Sequence, residues 1–344
     1  MNDEKAFAEA LRRHGRLVRP HELHANQSKG LAEQLEFYRL VAPYVYCGFL
    51  DNQGFNAVAT IHNSREFIGI YLGATILVAR YAYCLLSDPK MLPQIGDPSV
   101  ESIEPRVIED LRNPLGPVGT DRYLPRDPIR LRAAQRLAMG AYMILFFHEL
   151  GHIELCHLAF IRDQLGSTDY QEVTAAPLSE QEALLLRALE WDADNAALMS
   201  SLKMWRSFCS SLDYSAVGAL GPARSWFLAA QLLFWVMDFV QPPNRRGLLA
   251  THPSPKARLV NARMVATSFG FVPDLSDTED ADSLVSWIFR NKFPSHMIER
   301  VAGGSSVDKT PQELVEARGQ YEKIMPLLEH YQTLRPNGGP ILHQ

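Results

Sequence analysis

Apolar and polar positions change rhythm several times along the chain, and each rhythm predicts an element. Charged and apolar residues alternate at helical spacing over Glu4–Arg13 and Ser28–Tyr46, so a helix is expected in each. "NAVATI" and "EFIGIYL" are short β-rich runs separated by "HNSR", the signature of a hairpin. From Ala74 the pattern turns helical until "SDP". Pro and Gly then crowd Asp88–Arg126, which predicts a long irregular connection able to cover part of a cleft.

The next apolar stretch predicts one helix from Asp127 to Phe160, with Asp127 as N-cap and Pro128 at the first helical position. A second runs from Ser179 to Trp205, and "SEQE" at its start is a capping-box pattern. A third, Ala223–Val240, is stopped by "QPP". Beyond Thr267 the chain reads as polar helix over Asp282–Arg290 and Pro311–Leu334, then a Gly/Pro tail. The expected fold is mainly α (α+β), with a small hairpin or sheet above a central helix and extra C-terminal helices. Its expected division is 1–266 and 267–344, the latter carrying no readable motif.

Three runs are apolar enough to raise the question of a membrane: Phe67–Leu86, Leu137–Phe147 and Trp226–Val240. A spanning helix needs about 20 apolar residues without charge. Arg80 interrupts the first run, His148 ends the second early, and the third is short and holds Gln231 and Asp238. Buried core helices are the expectation, with no membrane span.

Composition narrows the partners. With 47% hydrophobic and 21% charged residues in 344, the chain can bury a sizeable core. A net charge of −5 without a long basic run argues against nucleic acid. Cys47, Cys84, Cys156 and Cys209 stand far apart with no CxxC pair, as reduced thiols in a cytosol would. The opening "MNDEKAFAEALRRHG" is charged and amphipathic where a secretory signal would be apolar, so a cytoplasmic protein is expected.

The chemistry gathers in "AYMILFFHELGHIELCHLAF" (Ala141–Phe160), where ionisable residues end the most apolar run. Burying such groups without compensation costs several kcal/mol, about 2–7 for an unpaired polar group alone. His148 and His152 are four apart, so on a helix both imidazoles face one point and can share a metal ion. Glu149 lies about 100° round the helix, off the ligand face, where it can serve as general base to a metal-bound water. A third ligand must come from elsewhere. "LEWDADNAA" offers Glu190, which would complete a His₂Glu zinc site, and Asp194 one turn on, which could accept the free N–H of a ligand histidine. Taken alone, Glu190, Asp192 and Asp194 read better as a solvated helix face.

HExxH followed one helix later by ExxAD resembles the gluzincin metallopeptidases, most closely the family of the CAAX prenyl proteases and membrane heat-shock peptidases. Upstream, "FNAVAT…FIGIYLG" is similar to that family's Asn-Ala-x-Ala hairpin, and downstream "ATHPSPKARL" resembles its Thr-His-Pro…Arg segment. The likeness covers Phe55–Arg263 and lacks the membrane members' spanning helices. A soluble form akin to the phage-exclusion peptidases therefore fits better. The resemblance implies a zincin-like core with zinc held by His148, His152 and Glu190, and Glu149 as base. It implies His252 near the scissile carbonyl as an oxyanion donor, and Arg258 paired with a carboxylate such as Asp194. Asn56, Ala57, Val58 and Ala59 would form the edge strand along which a peptide substrate pairs.

The functional expectation is a zinc-dependent endopeptidase acting on a protein or peptide, with restricted access or a regulatory partner. Two alternatives stay open: a catalytically silent, metal-stabilised regulatory or interaction protein, and a small-molecule metallohydrolase. His157, about 140° beyond His152 on an unbroken helix, is expected off the metal face, as is Glu154. Cys156 is expected to be a core thiol. The other histidines (His14, His21, His24, His62, His296, His330 and His343) have no partner spacing and are expected at the surface.

Overall fold

The computed structural model describes residues 3–22, 25–101, 124–166, 179–211, 221–240, 252–268 and 312–333. The expected helix over Asp282–Arg290 lies outside them, as do most of Asp88–Arg126 beyond Glu101 and most of 267–344. The described chain is mostly helical with one small mixed sheet.

The N-terminal part runs α1 (Asp3–Ala10), β1 (Arg16–Val18), α2 (Ala25–Val41), β2 (Tyr46–Asp51), β3 (Ala57–His62), β4 (Arg65–Tyr71) and α3 (Leu72–Leu86). The expected hairpin forms from β3 and β4, antiparallel from Ala57↔Ile70 to His62↔Arg65. Asn63 and Ser64 turn it with φ of 50° and 60°, the left-handed pair whose twist suits a two-residue hairpin. β1 and β2 were not expected. β2 begins at Tyr46, where the helical stretch was expected to end, and pairs in parallel with β4, giving the order β1-β2-β4-β3. Both faces of this sheet are covered. Ala57, Ala59, Ile68 and Ile70 face the main core. Val58, Phe67 and Leu50 face Phe7 and Leu11 in a second, smaller cluster. At the junction of β4 and α3, a side chain on Gly73 would lie 2.1 Å from the Gln53 carbonyl oxygen, so this close approach requires glycine.

The helical part runs α4 (Pro128–Glu154), α5 (His157–Leu165), α6 (Glu180–Ser211), α7 (Gly221–Val240), α8 (Pro255–Ser268) and α9 (Gln312–Thr333). Asp127 caps α4 as expected, accepting from the backbone N–H of Ile129 and Arg130 at 2.9 and 2.8 Å. Ser179 and Glu182 close the expected capping box at α6, with reciprocal bonds of 3.1 and 2.8 Å. α4 is walled in by α3, α6 and α7, which explains why its stretch from Leu137 to Phe147 is apolar on every side. Tyr38 of α2 stacks on Phe146 at 4.2 Å, and the Tyr142 hydroxyl donates to the Thr75 carbonyl at 2.6 Å. α6 and α7 are cross-braced: Trp205 donates to Ser225 and Trp226 donates to Ser201, each at 3.0 Å.

Arg130 secures the start of α4. Its guanidinium is fully buried and donates to the carbonyls of Leu86, Asp88, Met91, Leu92 and Ile95 at 2.6–3.1 Å. The stretch from Leu86 to Ile95 thus wraps around one side chain. Glu101 lies 3.7 Å from the guanidinium and accepts from the backbone N–H of Arg126 and Asp127.

The single helix expected over Asp127–Phe160 is broken. It ends at Glu154, and Cys156 turns the chain with φ of 61° before α5 begins at His157. Among the described residues no single helix is long and apolar enough to cross a membrane. α4 and α5 together reach that length only across a 56° bend, and α4 is enclosed by protein.

Candidate metal centre

The site forms where the C-terminal half of α4 meets α6 and the entry to α8. His148 and His152 present their Nε2 atoms to one point, 3.1 Å apart. Glu190 comes from α6 with Oε2 at 3.2 Å from His148 Nε2 and Oε1 at 3.4 Å from His152 Nε2. Among the described residues these three form a buried group able to hold a metal ion, one ligand atom from each lying within 4.8 Å of the others. The donor set passes a simple geometric test. Four-coordinate zinc with bonds of about 2.0–2.1 Å separates its tetrahedral ligands by about 3.3 Å. The observed separations scatter around that value. Two imidazole nitrogens and a carboxylate, out of water, are the donors a zincin-like centre uses.

Two further residues crowd Glu190. His252, just before α8, places Nε2 3.1 Å from Oε2, and Arg258 on α8 places a terminal guanidinium nitrogen 3.2 Å from the same oxygen. Arg258 also sets its Nε 3.1 Å from Asp194 Oδ2, while Asp194 Oδ1 lies 2.9 Å from His148 Nδ1. The two carboxylates that sequence alone left as a plausible solvated face are buried and meet the HExxH helix instead. Glu149 is buried beside His148 on α4. Asn56 precedes β3, and β3 pairs on one side with β4 at the edge of the sheet.

The electrostatics follow from this crowding. Burial pushes the Glu190 carboxyl up, but the imidazoles of His252, His152 and His148 outweigh it and hold the group well below the usual carboxylate range. Burial takes His152 down to about 4 against the pull of Glu190, leaving it neutral, the form that ligates a metal. His148 moves the other way: burial opposes its charge, yet Glu190 and Asp194 together raise it well above the ordinary imidazole value. A metal ion would displace that proton, as ligation requires.

His157 lies outside the metal-holding group, as expected, but not for the expected reason. The break at Cys156 means that the 140° offset of a continuous helix does not apply. His157 is fully buried, with Nδ1 3.1 Å from His152 Nδ1 and Nε2 3.1 Å from Asp192 Oδ2. No Gly or Pro between Ile153 and His157 announces the break. Glu154, the last residue of α4, is also buried and accepts a hydrogen bond from Tyr44. His14 is not a lone surface residue either, since its Nδ1 lies 2.7 Å from the Tyr71 hydroxyl.

Comparison of the chain with protein-family models, curated proteins and solved structures returned no match. The chemistry of the site therefore rests on its own geometry.

Proposed function

We propose that the chain is a zinc-dependent endopeptidase. The observation that carries the proposal is the buried His148–His152–Glu190 group, whose nitrogen and oxygen atoms are spaced as the ligands of one tetrahedral ion. When bound, zinc supplies Lewis acidity, polarising a carbonyl and easing deprotonation of water near neutral pH. The protein's own groups supply the rest. Glu149 takes a proton from the attacking water and returns it to the leaving amine. His252, 12% exposed at its side chain and so the most open of the groups around Glu190, donates to the developing oxyanion. Arg258 and Asp194 hold Glu190 and His148 in place.

β3 supports a peptide substrate. Tyr71 donates to the Asn56 carbonyl at 3.0 Å, so strand alternation turns the backbone groups of Ala57 and Ala59 away from β4. The Ala57 N–H indeed finds the Asn56 side-chain oxygen at 2.9 Å instead of a strand partner. An extended peptide would pair along that edge. The depth of the metal group, with Glu190 wholly buried, favours a second reading as a hydrolase of small molecules.

Metal content and turnover, measured together, test the proposal. Wild type and Glu149→Gln are expected to carry about one zinc per chain and Glu190→Ala almost none. Only wild type should cleave unfolded casein. Hydrolysis confined to small amides would select the second reading. A wild type that takes up no metal would end both.

A further inference from the structure

We propose that His157 and Asp192 are positioning residues of the metal centre. The inference rests on the metal reading of His148, His152 and Glu190.

The ring nitrogens allow one consistent arrangement. His152 turns Nε2 toward His148 and Glu190, so a metal bound there leaves the imidazole proton on Nδ1. That Nδ1 lies 3.1 Å from His157 Nδ1, which must then accept. His157 accordingly carries its proton on Nε2, and Nε2 lies 3.1 Å from Asp192 Oδ2. Every nitrogen of both rings is used.

The two ligand histidines are thus supported in parallel ways. His148 meets a carboxylate of α6 directly, at Asp194, whereas His152 meets one through His157. The difference has a geometric cause. Asp192 and Asp194 project about 200° apart on α6, so no pair so spaced can flank both ligands directly. The turn at Cys156 supplies the bridge. A left-handed conformation at a residue other than glycine is sterically costly. It appears here at the residue that sets His157 beside His152.

The arrangement continues into the C-terminal helix. The Tyr321 ring of α9 packs on Trp191, the residue before Asp192, at 5.4 Å between centroids. α9 lies along α6 and touches α5, with Tyr331 against Phe160. A helix whose sequence carries no motif therefore packs against the stretch of α6 that bears Asp192.

Zinc affinity of the full chain, measured by competition with a chromophoric chelator, tests this, alongside melting of the metal-free protein. Asp192→Asn and His157→Gln are each expected to retain about one zinc while binding it 10–100-fold more weakly. Asp192→Glu, which lengthens the carboxylate by one carbon, should weaken binding several-fold in the same direction. The visible bands of cobalt-loaded Asp192→Asn should shift from wild type, a change that lost packing alone would not cause. Unchanged zinc affinity in Asp192→Asn would overturn the proposal, even if melting temperature fell. Should Asp192→Asn and His157→Gln fail to fold, Asp192→Glu decides by the same loss of affinity. Absence of zinc from wild type would defeat the metal reading and this proposal with it, whereas wild-type affinity in the variants defeats this proposal alone.

Discussion

Arg258 Nε lies 3.1 Å from Asp194 Oδ2, with both side chains almost wholly out of water. The same guanidinium reaches Glu190, so one cation neutralises two acids that face the histidines of α4. Removing one partner of a buried charge pair costs about 3–5 kcal/mol because the remaining charge is stranded. Arg258→Ala is expected to destabilise the metal-free protein by about that much, read from urea unfolding. Arg258→Lys should recover only part, since a single ammonium replaces a planar fork with fixed donors. A loss below about 1 kcal/mol for Arg258→Ala would show that water already screens the pair.

Metal removal should be visible as stability. An ion that binds the native state alone stabilises it by about 4 kcal/mol at a thousandfold excess over Kd. Zinc added to metal-free wild type is therefore expected to raise the melting temperature by several degrees, and a chelator to reverse it. His148→Ala, His152→Ala and Glu190→Ala should show no such rise. Glu149→Gln should show the full rise while losing hydrolysis. Equal shifts in wild type and Glu190→Ala would place the zinc elsewhere.

Those features of the centre that follow from local spacing were legible in the chain. The i, i+4 pair His148–His152, the cap at Asp127 and the box Ser179–Glu182 each depend on one turn of helix. The Asn63–Ser64 turn was legible for the same reason. Features that depend on distant partners were not. "YCGFLD" forms β2 only because β4 runs parallel beside it. The break at Cys156 carries no Gly or Pro, so the contacts of His157 with His152 and Asp192 were not legible. Arg130 meets five carbonyls from an aperiodic segment, an arrangement no periodicity encodes.

The thiols give a pH prediction. Burial pushes the Cys47 thiol up to about 12, with Arg39 opposing weakly. All four cysteines are buried thiols outside any disulfide, so native protein at pH 8 should react with a thiol reagent only as fast as it unfolds. The unfolded chain ionises Cys47 near 8.5. This contribution to stability is therefore complete below about 8.5 and is lost as pH rises toward the folded value, because the unfolded state binds fewer protons there. Cys47→Ala should flatten the fall in stability between pH 9 and 11, about 1.4 kcal/mol per unit at most. Identical slopes would show that the site ionises without unfolding.

Arg130 offers the test of what holds the site helix in place. A guanidinium has five N–H donors, and here each meets a backbone carbonyl between Leu86 and Ile95. Glu101 balances its charge while binding the backbone that leads into α4. Arg130→Met keeps much of the volume but strands five carbonyls and a buried carboxylate, which calls for a loss of at least about 3–5 kcal/mol. Arg130→Lys has three donors and should fall between the two. Because the wrapped segment packs on α4 some five turns before His148, the surviving native fraction should bind zinc as wild type does. Weakened zinc affinity in folded Arg130→Lys would instead mean that the start of α4 sets the register of its histidines. In that case the segment around Arg130 belongs to the metal centre as much as to the fold.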